Sequence, residues 1–411
     1  MRTMGQFGIM KKNKQKEEFI PMSLQRKEHN IPLMYAICFF QGIVLYASIS
    51  TLYRQARGLS LSEYAVIDGF SYLFQLAFEI PFGMLADRIG YKKTLIFSNG
   101  LYLLSKIIFW KAFGFTDFLL ERLFFSMALA GLSGLDVSIL YLSCGKRDSQ
   151  KIFSRYSAFG TAGMLTGCFL FTLFLSENYA ITAFGTVISY SIAFVLSFFV
   201  VDVKETEEKD ERPSLGRLMD TLKVTVKDQK FLLFILGDAM VAYGTWAVRV
   251  FLIQNKYLSL GLTQQHMGML DIAFSALALT AVFSAALTRK LGFRKFMVTG
   301  MGTVAVCAII IGITGSAILA ILCSAAVEVS ATMLSPLIND LYSKRVTVSD
   351  RATQLSVYAM ISEIISFTLS FAMSFVAAWS YTGSFLFCAV LSGMGIFLFL
   401  YCYRGVRSID E

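Results

Sequence analysis

Apolar residues run along this chain in long blocks separated by short polar breaks. The blocks fall near 31–53, 61–86, 94–112, 117–143, 153–176 and 179–201, and then near 231–254, 264–288, 295–315, 317–342, 353–378 and 382–403. Each is close to the roughly 20 residues that a helix needs to cross a hydrocarbon core. The runs do not alternate with polar residues, as the strands of a membrane barrel would. Twelve helices are therefore predicted. Polar segments bound them: an N-terminal tail over 1–30, a charged linker over 202–230 and a short tail over 404–411. The linker divides the helices into a first set over 31–201 and a second over 231–403, and it has room for a short helix on the membrane surface.

Composition agrees with lipid as the solvent. Of 411 residues, 56% are hydrophobic and only 16% charged, with a mean hydropathy of +0.62. A soluble domain carries about 25% charged residues, so a soluble enzyme is excluded. Disorder is excluded by 38 Phe and 18 Tyr. The net charge of +9 is informative through its placement. Thirty of the 37 Lys and Arg residues fall in alternate segments: before the first span, at 88–93, 146–155, 204–230, 289–295 and 344–351, and at the end. Basic residues accumulate on the cytoplasmic side, so an even number of spans with both termini inside is expected. The basic N-terminus has no apolar run before Ile31, and no cleaved signal peptide is expected. Two His and seven Cys at unrelated spacings give no metal site.

The two halves look like copies. Gly58-Leu59-Ser60 and Asp68 have counterparts in Gly261-Leu262-Thr263 and Asp271, all 203 residues later. Ser60 and Thr263 fit helix N-caps, and Glu63 would complete a capping box with Ser60. Arg88-Ile89-Gly90-Tyr91-Lys92-Lys93 matches Lys290-Leu291-Gly292-Phe293-Arg294-Lys295 at almost the same offset. Parallel repeats of this kind are a transporter architecture.

The loop Gly83-Met84-Leu85-Ala86-Asp87-Arg88-Ile89-Gly90-Tyr91-Lys92-Lys93 resembles the signature loop of the major facilitator superfamily, with Tyr91 where the family usually has a base. Glu79-Ile80-Pro81 and Arg351-Ala352-Thr353 with Ser356 resemble a prokaryotic branch akin to its multidrug and metabolite exporters. The resemblance covers essentially the whole chain. It implies an all-α membrane fold of twelve transmembrane helices in two pseudo-symmetric six-helix bundles, with spans 1, 4, 7 and 10 around a central cavity. It also implies an inner gate built from Gly83, Asp87, Arg88, Gly90, Lys92 and Lys93. There Asp87 would sit at the N-terminus of the eleventh span, where free N–H groups favour an anion.

Polar stripes mark the candidate cavity, since buried charge in lipid is costly and usually functional. By helical spacing the stripes are Gln41 and Ser48; Arg122, Ser126, Ser133 and Asp136; Asp238, Thr245 and Arg249; and Glu328, Thr332, Ser335 and Asn339. Trp246 lies close to the third of these and either stacks on a substrate or packs in the core. Spans 2 and 11 are also striped, by Asp68, Tyr72, Gln75 and Glu79 and by Ser356, Glu363, Ser370 and Ser374. Glu79, Asp136, Glu328 and Glu363 are the candidates for proton coupling. Glu121 is placed to neutralise Arg122. Lys106 reads as a snorkelling side chain near the outer end of the third span. Gly160, Gly163 and Gly167 on span 5 would let two helices touch backbone to backbone. The Gly-Pro usual there in drug exporters is missing.

The expected function is secondary active transport of a small molecule by alternating access. Proton-coupled efflux of an amphipathic or cationic solute is the first reading, chiefly because the family resemblance implies it, and also because buried acids outnumber recognisable buried bases; proton-coupled uptake of a metabolite is the alternative. No phosphate-binding loop is present. An integral-membrane enzyme would need a nucleophile or acid–base set, and none is found; a non-transporting sensor stays open. The expected partners are the solute, the proton and the bilayer of a prokaryotic cell membrane, with no cofactor, no metal and no nucleic acid, and the chain acting as a monomer. Accessibility labelling tests the count: tags at residue 215 and at the C-terminus should report the same face of the membrane. Opposite faces would break the six-plus-six arrangement.

Overall fold

The structure is a computed structural model that describes residues 27–145, 147–176, 178–203, 215–345 and 351–407; within these, the side chains of 87, 215, 217–219, 351–353 and 403–407 are not described. Among the described residues there are helices and connections but no strands. The membrane-crossing helices are α1 (Asn30–Ala56), α2 (Leu61–Ile89), α3 (Tyr91–Lys111), α4 (Gly114–Ser143), α5 (Ser149–Leu175), α6 (Tyr179–Ser197), α7 (Gln229–Ser259), α8 (Gln264–Leu291), α9 (Phe293–Ile313), α10 (Ala317–Arg345), α11 (Arg351–Trp379) and α12 (Tyr381–Arg407). Ten of them are long and apolar enough to cross a membrane by length and composition alone. The other two, α2 and α3, are 29 and 21 residues long and carry the extra charge of Asp68, Glu79 and Lys106. A further helix, Leu215–Lys227, packs on α7 and α11 from the linker.

Helices α1–α6 pack on one another and α7–α12 do the same, giving two bundles. The duplication is visible in backbone detail. The Ser60 and Thr263 side chains cap α2 and α8, each in a capping box, with His266 taking in α8 the place of Glu63 in α2. Gly90 and Gly292 end α2 and α8 at φ +90° and +80°, a region that a side chain disfavours, so each turn into the next helix needs glycine.

Five spans are not the continuous helices expected; α5 ends in a π-helical stretch at Phe171–Leu175. α1 opens after Gly42 and resumes as a 3-10 turn at Ala47–Ile49. α7 carries a π-helical stretch at Ala247–Leu252, the positions 203 residues beyond 44–49. α8 is 3-10 over Ala278–Phe283. α4 breaks at Ser133–Gly134, with Gly134 at φ +72°. Backbone groups freed inside a membrane must find protein partners. The Leu45 N–H donates to Thr186 Oγ1 at 3.0 Å, and Ser189 and Tyr190 hydroxyls donate to the carbonyls of Phe40 and Gln41 at 2.6 and 2.7 Å. Freed carbonyls of the α7 π segment accept from Thr51 and Tyr381 hydroxyls at 3.1 and 2.6 Å.

The glycines of α5 behave as their spacing predicts. Gly163 faces the Phe39 carbonyl and Gly42 of α1, with no space for a Cβ.

The bundles meet along α2 and α11, along α5 and α8, and at the ends of α1 and α7 remote from the linker. At that far end one apolar cluster spans both bundles, with Tyr53, Phe109, Phe118 and Phe171 from the first and Phe251, Met267, Val327 and Phe385 from the second. Thr51 N–H donates to Gln254 Oε1 at 2.8 Å, and Gln254 Nε2 to Ser50 Oγ at 3.3 Å. At the linker end the core divides into one cluster around Ile31, Leu95 and Leu140 and another around Phe234, Met297 and Tyr358, with Ile80 of α2 at the edge of the second. The bundles are sealed at the far end and separate toward the linker.

Gly163→Ala is expected to destabilise the detergent-solubilised protein by about 1–3 kcal/mol through overpacking. Gly393→Ala, where nothing lies within 4 Å of the new methyl, should be neutral or mildly stabilising. Thermal denaturation of both variants checks the contrast.

Candidate functional site

A cavity of about 640 Å³ lies between the bundles, lined by α1–α8 and α10. Among the described residues its walls carry eight charged side chains: Arg54, Asp68, Lys106, Glu121 and Arg122 from the first bundle, and Arg249, Asp271 and Glu328 from the second. Tyr46, Tyr64, Tyr72, Tyr102, Tyr190, Trp246 and Phe274 supply aromatic surface between them.

In the first bundle the charges form a chain. Arg54 and Arg122 lie 3.7 and 3.8 Å from Glu121, and Arg122 lies 3.9 Å from Asp68. Glu121 is 1% exposed, so it is compensated by two guanidiniums inside the protein. Arg54 also donates to the Ser50 carbonyl at 3.0 Å and lies under Tyr64 and Phe109, 4.5 and 4.8 Å from the ring centres. Lys106 donates to the Tyr46 hydroxyl at 3.0 Å and stands 4.7–5.6 Å from the ring centres of Phe125, Tyr102, Tyr190 and Tyr46. It is 4% exposed. It does not snorkel: the rings of α1, α4 and α6 hold its stem and head inside the bundle, where their faces attract a cation.

In the second bundle Arg249 pairs directly with Glu328, which also accepts from Thr332 Oγ1 at 3.4 Å. Asp271 lies near the Ser48 hydroxyl and within electrostatic reach of both members of that pair. Several buried polar atoms along these walls have no hydrogen-bond partner: Ser48 Oγ, Arg54 Nε, Asp68 Oδ2, Glu121 Oε2, Arg122 Nε and Tyr257 Oη. Buried polar groups are normally satisfied, so these mark where a solute or water would bind.

Of the residues picked out from the sequence, Ser48, Arg122, Trp246, Arg249 and Glu328 line the cavity, and so do Asp68, Tyr72 and Gln75 of the span 2 stripe. Others are engaged elsewhere. Gln41 donates to Asn99 at 2.6 Å. Ser126 donates to the Ser71 carbonyl and Thr245 to that of Val241. Asp136 accepts from Tyr156 at 2.7 Å, because the break at Gly134 turns this part of α4 out of register with Arg122. Asp238 accepts from Tyr342 at 2.7 Å. Thr332 reaches only Glu328, and Asn339 is exposed toward the linker end of α10. Glu79 and Glu363 lie on α2 and α11, within electrostatic reach of one another; Glu363 Oε2 is buried without a partner. Gly83 lies within α2, Arg88 and Lys93 are exposed and Lys92 is half-buried. The Asp87 side chain, residues 346–350 and the side chains of 351–353, where the expected contact would form, are outside the described residues.

Spacing missed Arg54, Lys106, Glu121 and Asp271 as cavity residues. Arg54 and Lys256 fall just beyond the apolar blocks 31–53 and 231–254, yet both are buried, and Lys256 donates to the Gly312 carbonyl at 3.2 Å. The expectation that acids dominate the cavity is corrected: its walls hold four acids and four bases. The repeat itself was the signal for Asp271, the counterpart of Asp68.

The chain matches the profile of the Major Facilitator Superfamily over residues 33–257 and again over 234–409. It belongs to that superfamily. Solved structures share the fold. A mutant form of the nucleoside transporter NupG aligns with a TM-score of 0.78 at 13% identity, covering 91% of this chain and all of that one. A bacterial homologue of the human lysosomal transporter Spinster, inward-facing and unoccupied, gives 0.71 at 13% identity over 95% and 98% of the two chains. A D-xylose-proton symporter gives 0.65 at 14% over 93% and 97%. No curated relative matches this chain in sequence. The protein is thus a multi-pass membrane transporter of the superfamily, not an enzyme.

Removing Glu121 takes the paired acid from the buried Arg54 and leaves Arg122 with Asp68. Glu121→Gln is expected to lower stability by about 3–5 kcal/mol, read as a fall in melting temperature and in folded yield. A variant as stable as the parent would show that the chain of charges is not what holds Arg54 and Arg122.

Proposed function

We propose that this transporter is proton-coupled and exports an amphipathic small molecule by alternating access. The observation that carries the reading is one polar cavity shared by two bundles, with charge contributed from each. A solute held there touches both lobes and is released when they rock apart at the other end. With no ATP-binding loop in the sequence, a gradient is the available driving force. Coupling is assigned to Glu328, whose protonation would free Arg249, and to Glu363, which faces Glu79 across the α2–α11 contact.

The bias of Lys and Arg toward the linker and both termini supports placing these on the cytoplasmic side of a prokaryotic cell membrane. On that orientation, the seal at the far end corresponds to a carrier open inward. One chain supplies every residue of the cavity, which supports action as a monomer. Uptake by symport is the second reading; the similarity to a D-xylose-proton symporter favours it, because the same acids would serve either direction.

Proteoliposomes with an imposed pH gradient separate these readings. Solute accumulation should follow the gradient, with its sign giving antiport or symport. Glu328→Gln and Glu363→Gln should each cut gradient-driven accumulation by about tenfold or more, because an amide cannot take up and release the coupled proton. Full accumulation in both variants removes these acids from the mechanism.

A further inference from the structure

The eight charges of the cavity are balanced overall but not within each lobe. The first bundle brings three bases against two acids, and the second brings one base against two acids. Pairing sharpens the imbalance. Arg54, Glu121, Arg122 and Asp68 form their own chain, and Arg249 is taken by Glu328. Among the described cavity residues, the charges without a direct ion pair are Lys106, which has Glu121 in the wider surroundings, and Asp271, which has Arg249 there.

Each of these two groups retains binding capacity. A lysine ammonium has three donors, and the Tyr46 bond uses one. Nearby, Arg122 Nε lies 3.8 Å from Glu121 Oε2 but makes no hydrogen bond, so it can still donate to a ligand. On the second bundle, Asp271 has the hydroxyls of Ser48 and Tyr257 nearby, and the wall there includes the Trp246 and Phe274 rings, surfaces that attract a cation. Charges without a direct ion pair in a lipid-embedded protein are unfavourable. A ligand with an anionic group at one end and a cationic group at the other would compensate both.

We propose that the cavity binds a small zwitterion, with its carboxylate at Lys106 and Arg122 and its ammonium group at Asp271. This rests on the transport reading above and names its substrate class. Because the anionic contact comes from the first bundle and the cationic contact from the second, the ligand spans the interface that alternating access must open and close. A simple cation would satisfy Asp271 but leave Lys106 unpaired and face a wall of excess positive charge; a simple anion meets the converse problem.

The test uses purified full-chain protein in detergent and matched ligand triplets: leucine, phenylalanine and alanyl-phenylalanine, each beside its methyl ester and its N-acetyl derivative. Dissociation constants come from thermal-shift titration. In at least one triplet the zwitterion should bind about tenfold or more tightly than both derivatives, each of which lacks one charge-assisted contact. Lys106→Met should abolish the preference over the ester, and Asp271→Asn the preference over the acetylated acid, while Lys106→Arg retains both. If either variant fails to fold, the wild-type triplets still decide. Derivatives binding as tightly as the zwitterions in every triplet, or no ligand producing a shift, overturns the proposal. An ester that binds as well as its parent and also evokes proton flux in proteoliposomes removes the zwitterion and keeps the transporter. Zwitterion preference without solute-evoked proton flux keeps the site and removes proton coupling.

Discussion

A charge placed inside a protein that lies in lipid must find an opposite charge or a dense set of dipoles, and the centre of this molecule is organised around that requirement. Glu121 holds Arg54 and Arg122 in place, and Arg122 in turn faces Asp68. The result is a wall from which charge can contact a solute without the bundle flying apart by repulsion. Across the cavity the Arg249–Glu328 pair does the same for the second bundle. Lys106 is accommodated differently, by aromatic faces and one hydroxyl. Each solution leaves polar atoms facing the cavity, and those atoms make it a binding site.

The same constraint governs the backbone. A helix interrupted in a membrane exposes groups that water cannot satisfy there. Both α1 and α7 are irregular at positions related by the repeat, and in each the freed groups are taken up by side chains of neighbouring helices. The interruptions lie against the cavity and next to the far-end seal, where Thr51 meets Gln254. Irregular geometry is thus confined to the place where two bundles must both touch and part.

Several features are legible in the amino-acid sequence alone. Span count follows from run length, and pseudo-symmetry from Gly58, Ser60 and Asp68 recurring as Gly261, Thr263 and Asp271. A close backbone contact of α5 follows from Gly160, Gly163 and Gly167, although only the fold makes α1 the partner. The cavity is only partly legible. Ser48, Arg122, Trp246, Arg249 and Glu328 line it, but Gln41, Ser126, Asp136, Asp238 and Thr245 are engaged within their own bundles. Spacing along one helix reports which residues share a face. It does not report which neighbour that face meets, and it fails beyond a break such as Gly134 that rotates the following turn.

The amino-acid sequence by itself determined that the chain lives in lipid, how many times it crosses, and that its halves are related, because each of these depends on local hydrophobicity and on repetition along the chain. Only the tertiary structure decided that Arg54 and Lys106 are interior charges, that Glu121 is the common partner of two arginines, and that Lys106 and Asp271 reach one cavity from different bundles. Those facts are pairings between residues far apart in sequence. Electrostatic compensation depends on distance in space, and the packing of helices sets that distance.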